Sequence, residues 1–191
     1  MGKIVIIDGH PDPDPARFVH ALAEAYAASA RDAGHEVRII GVAAAGIDVL
    51  RSSKNWEQSG VTPEVKEAQE TIAWAEHIAI LFPLWLGAMP GLLKGFFEQV
   101  FRPGFAVGSG KRTLSGGLLK GKSARVVVTM GMPGFFYRLF FFSHSVRSLR
   151  RNILYFAGVK PVRETLIGPV ENPATRESGL KAMRKLGKNA A

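Results

Sequence analysis

Two ionisable side chains, Tyr137 and His144, stand just beyond a glycine-bearing turn at residues 129–137 (TMGMPGFFY), where either can relay a proton as a hydride acceptor is reduced. A lone histidine also serves as an ordinary structural residue, so His144 keeps both readings. Within the turn, Gly131 and Gly134 allow the backbone close to a ligand, while Met130 and Met132 read on their own as core fillers. A second stretch, residues 83–90 (PLWLGAMP), sets Leu84, Trp85 and Leu86 beside backbone polar groups, and a flat ring system with imide-like edges would cover such apolar surface. The alternative for Trp85 is packing on the neighbouring helix. A third stretch, residues 9–18 (GHPDPDPARF), leads His10 and Arg17 into a helix N-terminus, where free N–H groups and the helix dipole attract anions and a guanidinium fork suits phosphate. Taken singly, Arg17 also reads as a solvated first-turn residue and His10 as a turn residue capping its own loop.

These stretches need elements to hold them. Residues 3–8 (KIVIID) are a β-branched run ending at Gly9, the pattern of a buried strand feeding a tight loop. Asp14 is the expected N-cap of a helix whose first turn holds Pro15, with Phe18, Leu22, Tyr26 and Ala30 at helical spacing until Gly34. Further strands are predicted at residues 35–42, 77–82, 123–131 and 159–167. Residues 43–62 read as a long excursion with one short helical turn. Thr62, Pro63 and Glu64 open a helix running to about Glu76, and an amphipathic helix restarts after Pro90. Residues 104–122 form a Gly, Ser and Lys-rich loop, residues 134–158 a mostly helical aromatic segment, and residues 173–187 a basic terminal helix. Strands alternating with helices make an α/β chain with a doubly wound parallel sheet, in a single domain over residues 1–191. Ligands of such sheets bind beyond the C-terminal ends of the strands, where the three unusual stretches fall.

Composition narrows the chemistry. The 191 residues contain no cysteine, which excludes disulfides, a thiolate zinc site and a cysteine nucleophile, so redox chemistry here needs a cofactor. The net charge of +9, denser after Lys111, suits a nucleic acid, an anionic membrane surface or a phosphate-rich cofactor, or is simply a solvated basic face. No leader is expected at the start and no apolar run approaches the ~20 residues that span a bilayer, so the expected location is cytoplasmic, with no integral membrane segment. Residues 104–112 (GFAVGSGKR) imitate a phosphate-cradling loop, but the glycine spacing is one residue too long, Arg112 replaces the magnesium-binding hydroxyl, and a helix precedes it.

The string from Phe82 to Trp85 (FPLW), with Pro90, Leu93, Lys94, Gly95, Phe97, Glu98, Val100, Phe101, Phe105 and Ala106, resembles the NAD(P)H:quinone oxidoreductase family of the flavodoxin-like superfamily. The early Gly9-His10-Pro11 with Phe18, the Leu119–Lys122 run (LKGK), and Thr129, Gly131 and Tyr137 extend the match over nearly the whole chain. The resemblance implies a flavodoxin-like sheet of five parallel strands in the order 2-1-3-4-5 with helices on both faces. It also implies a tightly bound FMN or FAD, NADPH or NADH as reductant, a quinone or related acceptor, and a homodimer with active sites at the subunit interface. By the same resemblance, flavin phosphate falls to His10, Arg17 and Phe18, the isoalloxazine to Pro83, Leu84, Trp85 and Leu86, and its polar edge to Thr129, Met130, Gly131 and Met132. Tyr137 matches the family's active-site tyrosine, and His144 lies one place from the family histidine. The chain departs from the pattern in its long Pro- and Asp-rich first loop, in Arg17 and Val19, and in Gly87, where an aromatic often walls the pocket. A wider or differently lined acceptor pocket is the expectation.

The implied activity is two-electron, ping-pong hydride transfer. The competing reading is a flavodoxin-like electron-transfer or regulatory module acting through a protein partner, with residues 135–142 (FFYRLFFF) either as its contact surface or buried between subunits. Nucleic-acid binding is not expected, because the aromatic-basic interleaving of the usual modules is missing.

Overall fold

Runs rich in aliphatic residues place the strands of the computed structural model, which describes residues 1–57, 60–108 and 117–190. Strands β1 (Lys3–Asp8), β2 (Glu36–Gly41), β3 (His77–Pro83), β4 (Ser123–Thr129) and β5 (Val162–Ile167) pair in parallel in the order β2-β1-β3-β4-β5. This is the flavodoxin-like order implied by the family resemblance. Asp8 lies level with Leu81, Pro83 with Thr129, and Thr129 with Ile167, so the loops after β1, β3 and β4 leave from one edge.

The alternation of strand side chains divides the core into two layers. Ile4, Ile6, Ala79, Leu81 and Val127 pack with Leu22, Tyr26 and Ala30 of α1 (Phe18–Asp32) and Met183 of α7 (Pro173–Lys188). On the other face Val5, Ile7, Ile78, Ile80, Phe82, Val126 and Val128 meet α3 (Pro63–Trp74) and α4 (Gly91–Val100). Every residue of β3 is buried, as the central strand of a sheet covered on both faces requires.

Several boundaries differ from the sequence reading. α1 begins at Phe18, not at Pro15, because Asp12 and Asp14 hold the preceding residues in side-chain turns: Asp14 N–H donates to Asp12 Oδ1 and Ala16 N–H to Asp14 Oδ1, both at 3.0 Å. Asp14 therefore caps a turn, and no side chain caps α1. Thr62 caps α3 as expected, accepting from Val65 N–H. Residues 43–62 contain a short α2 (Ser53–Glu57) after a 3-10 turn at Val42–Ala44. The aromatic segment is divided into α5 (Gly134–Phe140), α6 (His144–Ser148) and a π-helical turn at Leu149–Leu154, with the break at Phe142 and Ser143, whose φ angles are 50° and 49°. The middle of the 104–122 loop, including Gly110 to Arg112 of the phosphate-loop imitation, lies outside the described residues. Among the described residues no helix is long and apolar enough to cross a membrane, and no His, Asp or Glu cluster has metal-site geometry.

At the opposite edge of the sheet from these loops, His77 opens β3 almost fully buried, its Nδ1 2.8 Å from the Ser123 hydroxyl. Burial, with the charges of Arg125 and Arg163, lowers its pKa to about 4. The unfolded chain takes up this proton near pH ~6.5 and the folded chain only near 4, so the stability held by the neutral ring is complete above about 6.5 and is lost as pH falls. Between pH ~7 and ~4.5 the wild type is expected to lose about 2–3 kcal/mol more than His77→Gln, measured by urea unfolding at both pH values.

Candidate functional site

The second loop begins where the β3–β4 ladder runs out. Pro83 has no N–H to donate, yet the next residue does: Leu84 N–H reaches the Thr129 carbonyl at 2.8 Å and keeps the second and third loops side by side. Trp85 and Ala88 then exchange two backbone hydrogen bonds at 2.9 Å, closing a two-residue hairpin. Its central residues, Leu86 and Gly87, have φ of 48° and 78°, the pattern of a type I′ turn. For a γ-branched residue this left-handed backbone is strained, and Leu86 is at the same time fully exposed. Gly87 lies beneath the His144 ring, since a Cβ there would sit 3.4 Å from His144 Cε1.

The third loop faces this hairpin. Leu84, Leu86, Gly87, Met130, Gly131, Met132, Tyr137, Phe141 and His144 line a cavity of about 430 Å³. Both backbone groups of Met130 are taken up, its N–H by the Ile167 carbonyl and its own carbonyl by Val170 N–H, so polar contacts to a ligand fall to Gly131 and Met132. Glu171 stands close by: a Cβ on Gly131 would lie 3.1 Å from its Oε1.

His144 Nδ1 donates to the Phe141 carbonyl at 2.9 Å, which leaves Nε2 on the exposed side of the ring that borders the cavity. Tyr137 contributes the face of a fully buried ring, and its hydroxyl oxygen is also buried with no hydrogen-bond partner of good geometry. Burial raises the phenol above its usual range, while the backbone N–H groups of Val146 and Ser145 pull the other way. The two residues are neighbours, with ring centroids 6.4 Å apart, but they present different groups to the cavity.

At the first loop the structure adds residues that the sequence reading did not single out. Asp8, at the end of β1, places Oδ2 2.5 Å from Nδ1 of His20, in the first turn of α1, and His20 Nε2 is 2.9 Å from the Asp12 carbonyl. Burial would lower the His20 pKa, but the Asp8 carboxylate and the Asp12 carbonyl outweigh it and raise the pKa. His10, which accepts Asp12 N–H at Nδ1, is lowered, chiefly by burial. The His10 ring stands edge-on to His20 at 5.3 Å and to Trp85 at 5.9 Å, so Trp85 ties the second loop to the first and its other surface stays half exposed. Arg17 is committed locally, 2.7 Å from Asp12 and 3.2 Å from Asp14. The Phe18 ring turns away to α7, under the Arg176 guanidinium at 4.7 Å. The structure thus gathers Leu84, Leu86, Met130, Gly131, Met132, Tyr137 and His144 around one cavity, sets His10 and Trp85 beside each other, and leaves Arg17 and the Phe18 ring outside. Single Asp and His residues 12 apart carry no local pattern, which is why Asp8 and His20 were not legible; the only signal was that both fall at an element end.

A flat, mostly apolar ring with a hydrogen-bonding edge fits the space between the hairpin and residues 130–132. The uncapped start of α1 fits an anion. The acid-rich first loop fits it less well, because its arginine is already neutralised by Asp12 and Asp14.

Comparison with known proteins agrees with this architecture. A family model described as flavodoxin-like fold matches residues 2–189. An uncharacterised NAD(P)H oxidoreductase of Haemophilus influenzae is 30% identical over 114 residues, covering 59% of this chain and 56% of that protein. A ribosyldihydronicotinamide dehydrogenase-like protein of Penicillium crustosum is 32% identical over 87 residues, 42% of this chain and 33% of that one. The chain therefore spans between about a third and just over half the length of these relatives. Among solved structures, a Streptococcus mutans protein superposes with a TM-score of 0.81 at 26% identity, covering 98% of this chain and 99% of its own. The NAD(P)H:quinone oxidoreductase of Methanothermobacter marburgensis gives 0.83 at 23% identity, covering 99% and 96%, a likeness of fold.

The histidine network makes a direct prediction. In proton NMR titrations His20 is expected to titrate above, and His10 below, an ordinary histidine, and Asp8→Asn to bring the His20 midpoint down. A His20 midpoint indifferent to Asp8→Asn would show that the pair does not form in solution.

Proposed function

The chain belongs to the flavodoxin-like fold family, and on that premise we propose that it is a flavin-dependent NAD(P)H oxidoreductase that reduces quinones or similar flat acceptors. The observation that carries this reading is the cavity between the Leu84–Gly87 hairpin and residues 130–132, at the edge of the sheet where the family resemblance places an isoalloxazine. The named NAD(P)H oxidoreductase relative supports it.

A flavin, FMN or FAD, held there would supply two-electron redox chemistry between NADPH or NADH and the acceptor. The chain does the rest. Leu84 and Leu86 would form an apolar wall, with Trp85 beside it against His10 and Pro83 setting where it begins, while Gly131 and Met132 would offer backbone groups to the polar edge. His10 and the first N–H groups of α1 would hold its phosphate, with Thr129 fixing the wall through its carbonyl. His144 Nε2 holds or gives the proton that accompanies hydride transfer, because Nδ1 is occupied by the Phe141 carbonyl. Tyr137 backs that site with its ring and the buried hydroxyl stays out of the proton transfer. Gly87 lets the His144 ring close down on the hairpin, where even a Cβ would touch the imidazole, so the cavity is lined differently from one walled by an aromatic at this position.

Purified protein is expected to carry or take up flavin, to be bleached anaerobically by NADPH or NADH, and to be reoxidised by a quinone. Failure to bind either FMN or FAD overturns the reading, and bound flavin that neither nicotinamide bleaches moves it to an electron-transfer module. Identifying the flavin released on denaturation decides between FMN and FAD. His144→Gln is expected to slow quinone reduction by about 10- to 100-fold with flavin retained, and Tyr137→Phe by less than about threefold. Stopped-flow reoxidation reads both, and the reverse order would assign the proton to Tyr137.

A further inference from the structure

At the end of the sheet opposite the three loops, positive charge is buried with no acid beside it. His77 and Ser123 lie level on β3 and β4, and two residues further along β4 Arg125 lies level with Arg163 of β5. By strand alternation all four side chains leave the same face of the sheet. Like charges set opposite each other repel, and one of this pair is sealed in. Arg125 is 9% exposed, its Nε is buried without a hydrogen-bond partner, and a terminal nitrogen reaches the Thr165 hydroxyl only at 3.4 Å. Burial and the Arg163 charge both lower the Arg125 pKa, with Tyr26 of α1 working the other way. Among the described residues neither arginine is paired with a carboxylate. A buried cation left in this way is costly unless a counter-ion joins it.

The space for a counter-ion is present. His77, Ser123, Arg163 and Asn189, the residue that ends α7, line a cavity of about 220 Å³ at this edge. No Asp or Glu lines it. His77 is 6% exposed, and its Nε2 is buried with no partner. Arg163 and Asn189 are exposed, so the cavity is entered from solvent.

We propose that this cavity binds a phosphate group, either inorganic phosphate or the phosphate of a small ester. The Arg163 fork and the Asn189 amide hold its oxygens, and Arg125 balances its charge from the adjoining position on β4. Two guanidinium charges match a phosphate dianion better than a singly charged carboxylate or halide, and an arginine fork takes two of its oxygens at once. When His77 Nδ1 carries a proton it donates to the Ser123 oxygen 2.8 Å away, which leaves the Ser123 hydroxyl proton free for the anion. The site is at the far end of the strands from the cavity over residues 130–132 and needs neither flavin nor nicotinamide.

The charges that act on His77 are those of Arg125 and Arg163. Its other charged neighbours are turned elsewhere: Glu76 accepts Lys3 N–H at 3.2 Å, Lys122 Nζ donates to the Ala73 carbonyl at 2.7 Å, and His35 accepts Gly2 N–H at 3.0 Å. A bound anion favours the protonated His77 ring, so phosphate is expected to raise its midpoint from about 4 and to reduce the loss of stability in acid.

The test is a titration of the full chain with sodium phosphate, against chloride at equal ionic strength, read by thermal unfolding and by the histidine NMR resonances. About 10 mM phosphate is expected to raise Tm by about 3 °C and to shift the His77 resonance to saturation. His10 and His20, at the other edge, report separately on any phosphate at the start of α1. Arg163→Gln, at an exposed position, is expected to weaken binding by about tenfold or more with circular dichroism unchanged. Arg125→Met is expected to raise Tm in chloride and to remove most of the gain from phosphate. Glycerol phosphate in place of the free ion separates the two sources: tighter binding assigns an ester, weaker binding inorganic phosphate. A His77 resonance and Tm indifferent to both, a response confined to His10 and His20, or binding untouched by Arg163→Gln overturns the proposal.

Discussion

One backbone hydrogen bond, from Leu84 N–H to the Thr129 carbonyl, decides where the groups at the C-terminal edge of the sheet can stand. Its net contribution to stability is about 1 kcal/mol, no more than that of any similar bond. Its importance is positional. Pro83 lacks an N–H, and without the next residue's bond the β3–β4 ladder would end and the two loops would diverge. With it, the Trp85–Ala88 hairpin folds back over residues 130–132 and Gly87 comes beneath His144. The cavity exists because the two loops leave the sheet together.

Electrostatics divides the molecule in a way that the net charge conceals. The first loop is acid-rich and internally balanced: Asp8 is paired with His20, and Asp12 and Asp14 share Arg17. An anion arriving at α1 therefore meets backbone N–H groups and imidazoles rather than a free guanidinium. Along the sequence, residues 99–163 hold 12 of the 25 Lys and Arg and none of the 16 Asp and Glu, but Arg102 and Arg125 are buried in the fold and Arg138 pairs with Glu164.

Much of this was legible in the chain as written. The β-branched runs at residues 3–8, 77–82 and 123–129 are buried on both faces, where almost every residue must be apolar, so periodicity and composition reveal them directly. Thr62 and Pro63 mark the start of α3 because capping is a short-range interaction between residues three apart. The same logic failed at Asp14, where the side chain had a competing local partner in Ala16 N–H, and at residues 141–143, where an aromatic run of helical character bends through two left-handed residues. The Trp85 environment was undecidable beforehand, since packing on a helix and contact with a ring from another loop look alike in a local window.

The sequence by itself determined the strands, the helices between them and the three unusual loops that follow β1, β3 and β4, because hydrophobic period and turn residues act over a few neighbouring positions. The tertiary structure alone decided how those loops are used. Asp8 meets His20 and Arg17 turns back to Asp12 and Asp14 within a single β–α connection, but Trp85 meets His10 and Gly87 meets His144 only after strands far apart in the chain have been set side by side. Contacts of that kind depend on register and crossover geometry, which no single stretch of residues encodes.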